Sequence, residues 1–137
     1  MVSKTLFSKK SDHWATPKEF YLKLDAEFNF TLDPCPLNAI HDALADSYQW
    51  GGRVFINPPY SNIHAFLKKG LQEIKKGNAE LLVYLIPART DTKWFHDLVY
   101  GKAEIRFIKG RLKFGDSKNS SPFPSMLVIY NQPTEGK

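Results

Sequence analysis

The chain has 137 residues, of which 42% are hydrophobic and 14% aromatic, and its formal net charge is +5. This length and composition are typical of one globular domain and exclude a largely disordered chain. No apolar run approaches the roughly 20 residues of a membrane span, and the opening segment lacks the apolar core of a signal peptide. With Cys35 as the only cysteine, an internal disulfide is excluded, and we expect a cytoplasmic protein. The basic charge fits a polyanionic partner such as nucleic acid.

We expect a flexible N-terminus at residues 1–11, one domain at 12–131 and a tail at 132–137. The first predicted element is an amphipathic helix at 16–28, TPKEFYLKLDAEF. Thr16 has the position of an N-cap, Pro17 suits the first turn, and Glu19 completes the spacing of a capping box. FNFTLD then predicts a short strand that ends at Asp33, and residues 34–52 predict irregular structure with one helical turn.

The rest of the chain predicts strands and helices in alternation. In chain order these are the strand RVFIN, the amphipathic helix NIHAFLKKGLQEIKK, the buried strand ELLVYLIP, the short helix DTKWFHDLVY, and the strands AEIRFI and SMLVIY. The apolar stripe of the longer helix leaves Lys68, Lys69, Lys75 and Lys76 largely outside it. The unbroken apolar run ELLVYLIP is typical of a strand that is covered on both faces.

Alternating strands and helices predict an α/β fold with a doubly wound, mostly parallel sheet. Ligands of such sheets bind beyond the carboxyl ends of the strands. Asp33, Asn57 and the corner at 87–90 contain the first polar residues after three predicted strands. We therefore expect them to gather at one edge of the sheet.

The corner FINPPYS carries the most specific chemistry in the sequence. The side-chain amide of Asn57 offers an acceptor oxygen, and Pro58 and Pro59 hold the backbone rigid. The Asn57 side-chain oxygen and the Pro58 carbonyl can together accept the two hydrogens of a planar amino group, which makes its nitrogen more nucleophilic. Tyr60 can lie flat against the ring that carries this amine. The alternative is an ordinary turn, since these residues are common in turns.

The NPPY sequence resembles motif IV of amino-methyltransferases that use S-adenosylmethionine (SAM). The ordered set DHWATPKEFYLKLDAEF, FTLDPCP, FINPPYS, LIPARTDTKWFH and IKGRLKF…SPFPSMLVIY resembles the phage-type DNA N6-adenine methyltransferase (Dam) family from Asp12 to Tyr130. The resemblance implies a reduced Rossmann-like class I methyltransferase fold with about five strands and flanking helices. It also implies SAM as cofactor, double-stranded DNA as partner and a phage or prophage origin, with protection from restriction as one role.

The resemblance assigns roles to individual residues. Asn57, Pro58, Pro59 and Tyr60 would form the catalytic corner around an adenine flipped out of the duplex. The cofactor residues would be Trp14, Thr16, Pro17, Asp33, Pro34, Asp42 and Asn57. Asp42 is the first candidate for the ribose hydroxyls and Asp46 the second. Helix capping also explains Thr16, a hydrophobic staple explains Trp14, and a turn explains Asp33.

The segment GRLKFGDSKNSSPFP is basic with interleaved aromatic residues, and such a loop can enter a DNA groove or simply connect two strands. The residues assigned to DNA are Arg89, Arg111, Lys113 and Lys118. His96 has no cluster of cysteine or histidine around it, so we expect no metal site. We expect no separate target-recognition domain, and therefore a short or loose sequence preference and salt-dependent binding.

Two features depart from the family. The glycine-rich turn of motif I is absent after LDPCP, and only about twenty residues separate Asp33 from the next strand. We therefore expect a reduced sheet and an open cofactor site. The leading hypothesis is a SAM-dependent methyltransferase acting on adenine N6 in DNA. The alternatives are a methyltransferase acting on RNA adenine or a protein glutamine amide, and an inactive DNA-binding remnant. The intact corner argues against the remnant.

Overall fold

The computed structural model describes residues 14–37, 41–113 and 121–133. They form an α/β fold in which helices cover a four-stranded sheet. The elements in chain order are α1 (Lys18–Phe28), β1 (Gly52–Ile56), a 3₁₀ turn (Tyr60–Asn62), α2 (Ile63–Lys75), β2 (Ala79–Pro87), a π-helix (Phe95–Val99), β3 (Glu104–Phe107) and β4 (Ser125–Asn131). None of the helices in these ranges is long and apolar enough to cross a membrane. The predicted flexible segment 1–11 lies outside the described residues.

The sheet is mixed, with the order β1-β2-β4-β3, and this corrects the prediction of a mostly parallel sheet of about five strands. β1 pairs parallel with β2, whereas β4 pairs antiparallel with both β2 and β3. β1, β2 and β3 therefore still run in one direction, as predicted. Strand β4 returns antiparallel beside β3, a pairing that needs no crossover helix, and it thereby separates β3 from β2.

The predicted first strand is reduced to a single bridge, in which Leu32 pairs parallel with Val54. The Leu32 carbonyl accepts a hydrogen bond from the Phe55 N–H at 2.9 Å. A longer pairing is prevented on one side by Pro34, which has no N–H to donate. On the other side the Thr31 hydroxyl, in place of a backbone carbonyl, accepts the Arg53 N–H at 2.9 Å. Residues 34–37 and 41–51 form turns and bends, without the predicted helical turn.

β2 is the centre of the core, and its side chains pack on both faces, as predicted from its unbroken apolar run. Leu82, Tyr84 and Ile86 face α2, whereas the residues between them face α1. α2 lies very close to β2 because Gly70 has no side chain. The Tyr84 hydroxyl fills that space and donates a hydrogen bond to the Phe66 carbonyl at 2.7 Å.

Two helix predictions need correction. The segment predicted as a helix at 91–100 continues, after one short helical stretch, as the π-helix. Lys69 was predicted to lie outside the apolar stripe, but it is only 6% exposed. Its ammonium group donates to the Ala45 carbonyl at 2.9 Å and lies 3.7 Å from the Glu73 carboxylate. Glu73 also accepts the Trp50 N–H at 2.9 Å, so this buried pair ties the loop 41–51 to α2.

Candidate functional site

The strand directions bring predicted site residues to one edge of the sheet. Asp33 follows the bridge residue Leu32, and Asn57 follows β1. Both line a cleft of about 300 Å³ beside the start of α1. The predicted gathering is therefore confirmed for these two residues. Arg89 follows β2 at the same edge but does not line this cleft.

This first cleft contains most of the residues assigned to the cofactor. It is lined by Trp14, Ala15, Thr16, Lys18, Tyr21, Asp33, Cys35, Pro36, Leu37, Phe55 and Asn57. Pro17 is the N-cap of α1 and is not among the lining residues. The cleft thus joins the entry to α1 with the end of β1, two segments that lie about forty residues apart in the chain.

The Asn57 side chain is the best-defined polar group of the site. It is only 4% exposed, and its amide nitrogen lies 2.6 Å from the Trp14 carbonyl oxygen and 2.9 Å from the Thr16 hydroxyl oxygen. A carbonyl oxygen only accepts hydrogen bonds, so the atom that faces Trp14 must be the donating nitrogen. Both amide hydrogens are therefore given to protein acceptors, and the amide oxygen points away from them.

The predicted capping role of Thr16 is wrong. The N-cap of α1 is Pro17, and no side chain makes a capping hydrogen bond there. The first turn is closed instead by the Tyr21 N–H, which donates to the Pro17 carbonyl at 2.9 Å. The Thr16 hydroxyl is engaged by Asn57, a contact between distant segments that helix-end statistics do not contain.

Asp33 contributes a carboxylate to the first cleft, which Lys18 also lines. Its carboxylate accepts the Cys35 N–H at 3.1 Å and is exposed. Burial, and then the charge of Asp33, raise the pKa of the Cys35 thiol. Burial and nearby carboxylates, Asp33 among them, also raise the pKa of the Tyr21 hydroxyl. The carboxylate of Asp33 can therefore attract a positively charged group of a ligand that binds in this cleft.

A second cleft of about 330 Å³ adjoins the first along residues 35–37. Pro34, Asp42 and Pro59 are among its lining residues. The Asp42 carboxylate accepts the Leu44 N–H at 2.9 Å, and His41 donates a ring N–H to the Pro34 carbonyl at 2.6 Å. The bond between His41 and Pro34 joins the two segments that line the second cleft, whereas the bond between Asp42 and Leu44 is local to one of them. Asp46 is exposed and lines neither cleft.

Three aromatic rings meet beside Asn57. Tyr60 begins the 3₁₀ turn after the two prolines, and its ring centroid lies 5.1 Å from that of Phe123 in an edge-to-face contact. Phe123 also meets the Trp14 ring at 6.2 Å. The sequence placed Phe123 only on the basic loop. The missed signal is that Phe123 lies just before β4, which begins at the carboxyl edge because Ser125 pairs with Pro87.

Some of the basic residues lie at opposite edges of the sheet. Arg53, near the amino end of β1, pairs with Glu80 at 2.7 Å. Arg89, Arg111 and Lys113 follow β2 and β3, are exposed, and form no ion pair within the described ranges. The guanidinium groups of Arg89 and Arg111 thus lie at the edge that carries Asn57. Lys118 lies outside the described residues.

The structure also describes the surroundings of Trp94, His96 and Cys35. Trp94 is partly buried against the core, and His96 donates to the Thr90 carbonyl at 2.7 Å. In the described part of the chain, no three histidine, cysteine or acidic side chains group as metal ligands. Sequence reasoning missed Cys35, whose buried thiol donates to the Asn57 carbonyl at 3.6 Å. Its position two residues after Asp33 was the available signal.

The chain is similar to a known family model and to proteins of two phages. The family model described as DNA N-6-adenine-methyltransferase (Dam) matches residues 3–136. A DNA N-6-adenine-methyltransferase of Haemophilus phage HP1 is 30% identical over 144 residues, which cover 90% of this chain and 82% of the relative. A protein of the same name from Escherichia phage T1 is 29% identical over 112 residues, covering 74% of this chain and 46% of the relative. No solved structure matches the chain.

Proposed function

Because the chain belongs to the DNA N-6-adenine-methyltransferase (Dam) family, we propose that it transfers a methyl group to the N6 amino group of adenine in DNA. The observation that carries the proposal is the orientation of the Asn57 amide. Its nitrogen is directed at Trp14 and Thr16, so its oxygen is turned the other way. An amide oxygen has two lone pairs and accepts hydrogen bonds from an amino group. The fixed amide therefore suits an acceptor that carries an NH₂ group, as adenine does.

SAM is the methyl donor in this proposal, and when bound it supplies an electrophilic methyl group on a positively charged sulfur. The residues present fit such a ligand. The Asp33 carboxylate in the first cleft suits the ammonium group of the amino-acid end of SAM, and Trp14 and Thr16 line the same cleft. The two adjoining clefts, of about 300 and 330 Å³, each reach the lower end of the ~300–1,000 Å³ range of small-molecule sites.

The remaining cofactor residues take supporting roles. Asp42 lines the second cleft, where its carboxylate oxygens suit the ribose hydroxyls. Pro34 forms the wall between Asp33 and that cleft, and its carbonyl is held by His41. Pro17 is the N-cap of α1 and directly follows Thr16, whose hydroxyl bonds Asn57. A ligand that spans both clefts would pass over Cys35, which lines each of them.

The chain promotes transfer by holding the acceptor nitrogen and the base. The Asn57 amide oxygen and the Pro58 carbonyl accept the amino hydrogens, which withdraws the nitrogen lone pair from conjugation with the ring. Tyr60 stacks on the base, and Phe123 borders the same space. Stacking of this kind contributes about 1–3 kcal/mol per base, which offsets the few kcal/mol that flipping costs. Pro59 precedes Tyr60 in a fixed extended conformation and sets where its ring lies.

DNA would approach the carboxyl edge of the sheet. Arg89, Arg111 and Lys113 offer cations there that no carboxylate of the described residues neutralises. Lys118 belongs to the same connection in sequence and is assigned with them. Contacts of this kind bind phosphates, which gives affinity without sequence information.

The test is methyl transfer by the purified chain. The protein is incubated with SAM and unmethylated duplex DNA, the DNA is digested, and N6-methyladenosine is measured by mass spectrometry. The Asn57→Ala variant should lose the product while its SAM affinity, measured by calorimetry, stays within a few-fold of the original. Asn131→Ala is the matched control, because Asn131 is exposed at the far end of β4. It should retain full activity.

The other outcomes are equally informative. Product formed by Asn57→Ala at the original rate would remove the catalytic assignment of this corner. Product only with RNA, or only with a glutamine-containing protein, would change the acceptor. Failure with every acceptor, together with no heat on SAM titration, would identify an inactive DNA-binding chain.

A further inference from the structure

The contact between Asn57 and Thr16 joins two segments that the family resemblance treats separately. The Asn57 amide nitrogen donates to the Thr16 hydroxyl at 2.9 Å and to the Trp14 carbonyl at 2.6 Å. Both side chains line the first cleft. Helix capping does not use the Thr16 hydroxyl, since Pro17 is the N-cap of α1. The hydroxyl oxygen is therefore committed to Asn57.

From this geometry we propose that Thr16 is a positioning residue for methyl transfer, in addition to any contact with the cofactor. Its hydroxyl holds the amide in the one orientation that turns the oxygen toward the acceptor amine. This inference rests on the proposed function of Asn57. It extends that function by making the start of α1 part of the machinery that recognises an NH₂ group.

A separate orienting group is needed because the amide does not hold itself. Rotation about the terminal torsion of asparagine is soft and has no sharp staggered minima. The Trp14 carbonyl fixes one hydrogen of the NH₂ group, and the Thr16 hydroxyl fixes the other. With one acceptor removed, the amide plane can tilt about the remaining bond, and its oxygen leaves the best position for the acceptor amine.

The experiment compares Thr16→Val, which keeps the shape but removes the hydroxyl, with Thr16→Ser, which keeps the hydroxyl. Single-turnover transfer is measured at saturating SAM and DNA, and SAM affinity is measured separately by calorimetry. We expect the rate of Thr16→Val to fall about tenfold even at saturating cofactor, the size expected for one lost hydrogen bond. Thr16→Ser should stay within about twofold of the original rate.

Comparing the effect on the transfer rate with the effect on SAM affinity tests whether Thr16 is a positioning residue. A Thr16→Val rate equal to the original at saturating SAM, with only weaker SAM binding, would overturn the inference and leave Thr16 as a cofactor contact. An equal loss in Thr16→Ser would overturn it as well, because the hydroxyl would not be responsible. Thermal melting of all variants checks folding, and Thr16→Ser stays informative if Thr16→Val is unstable. An original chain that makes no N6-methyladenosine would overturn the proposed function itself.

Discussion

Replacing Gly70 with Ala tests how closely α2 lies on the sheet that carries the site. Gly70 is in the interior of α2, where helix propensity alone predicts that alanine stabilises by about 1 kcal/mol. The structure predicts the opposite. A Cβ at this position would lie 2.0 Å from the Tyr84 hydroxyl oxygen and 2.8 Å from the Leu82 Cδ1.

The size of the effect follows from how little Tyr84 can move. Its side chain is fully buried, its hydroxyl is bonded to the Phe66 carbonyl at 2.7 Å, and its ring packs edge-on against Tyr130 at 5.9 Å. Overpacking a core costs typically 1–3 kcal/mol, and a displaced, unsatisfied buried hydroxyl costs about 1–3 kcal/mol more. After the propensity gain is subtracted, we expect the free energy of unfolding to fall by about 3 kcal/mol.

The assay is chemical denaturation of four variants, three of which form a double-mutant cycle with the original chain. Gly70→Ala and Tyr84→Phe are measured alone and together, with Lys68→Ala as an exposed control in the same helix. Because Tyr84→Phe removes the closest atom, Gly70→Ala should cost about 1–2 kcal/mol less in that background, a coupling of the size seen for touching residues. A Gly70→Ala variant more stable than the original chain would refute the close packing of α2 on β2.

Two further predictions concern charge. Arg111→Ala should weaken DNA binding on all sequences and lower the slope of log affinity against log salt by about one. Arg53→Ala, which removes a guanidinium already paired at the opposite edge, should leave the slope unchanged, and equal slopes in both variants would contradict the assigned DNA face. Burial raises the pKa of the Glu73 carboxyl, but the hydrogen bond from the Trp50 N–H and the nearby lysines outweigh it, so the pKa lies below its ordinary value of 4.5. The stability that this lowered pKa contributes is present above pH 4.5 and is lost as the pH falls through the folded-state pKa. Below pH 4.5 the melting temperature should therefore drop more steeply in the original chain than in Glu73→Gln. If the melting temperatures of the two proteins fall in parallel, the Glu73 carboxylate does not contribute this stability.

The sequence predicted the corner and the central strand because their signals are local. The apolar run before Pro87 indicated a strand covered on both faces, and β2 is buried along nearly its whole length. Asn57 and Asp33 were placed at the strand ends, where the structure has them. The burial of β2 and the position of these two residues could be predicted because they depend only on the direction of neighbouring strands and on residue order over a few positions.

The predictions from sequence were wrong for residues whose side chains can bond either a local partner or a distant one. Thr16 has a spacing that fits a cap, but its hydroxyl bonds an amide 41 positions further along the chain. Lys69 looked like a solvated lysine, since its helix position alone does not reveal that the loop at 41–51 covers it with a carbonyl. In each case the competing partner comes from a distant segment, and its contribution appears only once the chain has folded.

By itself, the sequence of this chain determined that strands alternate with helices and that a rigid Asn-Pro-Pro-Tyr corner follows a strand. It also determined which polar residues stand at strand ends. These properties follow from side-chain periodicity and turn chemistry, which act over a few residues. The tertiary structure alone decided that β4 enters between β2 and β3, that Phe123 meets Tyr60, and that the Asn57 nitrogen faces Trp14 and Thr16. The physical reason is that these arrangements depend on contacts between segments far apart in the chain. A sequence pattern over a few residues does not specify such contacts.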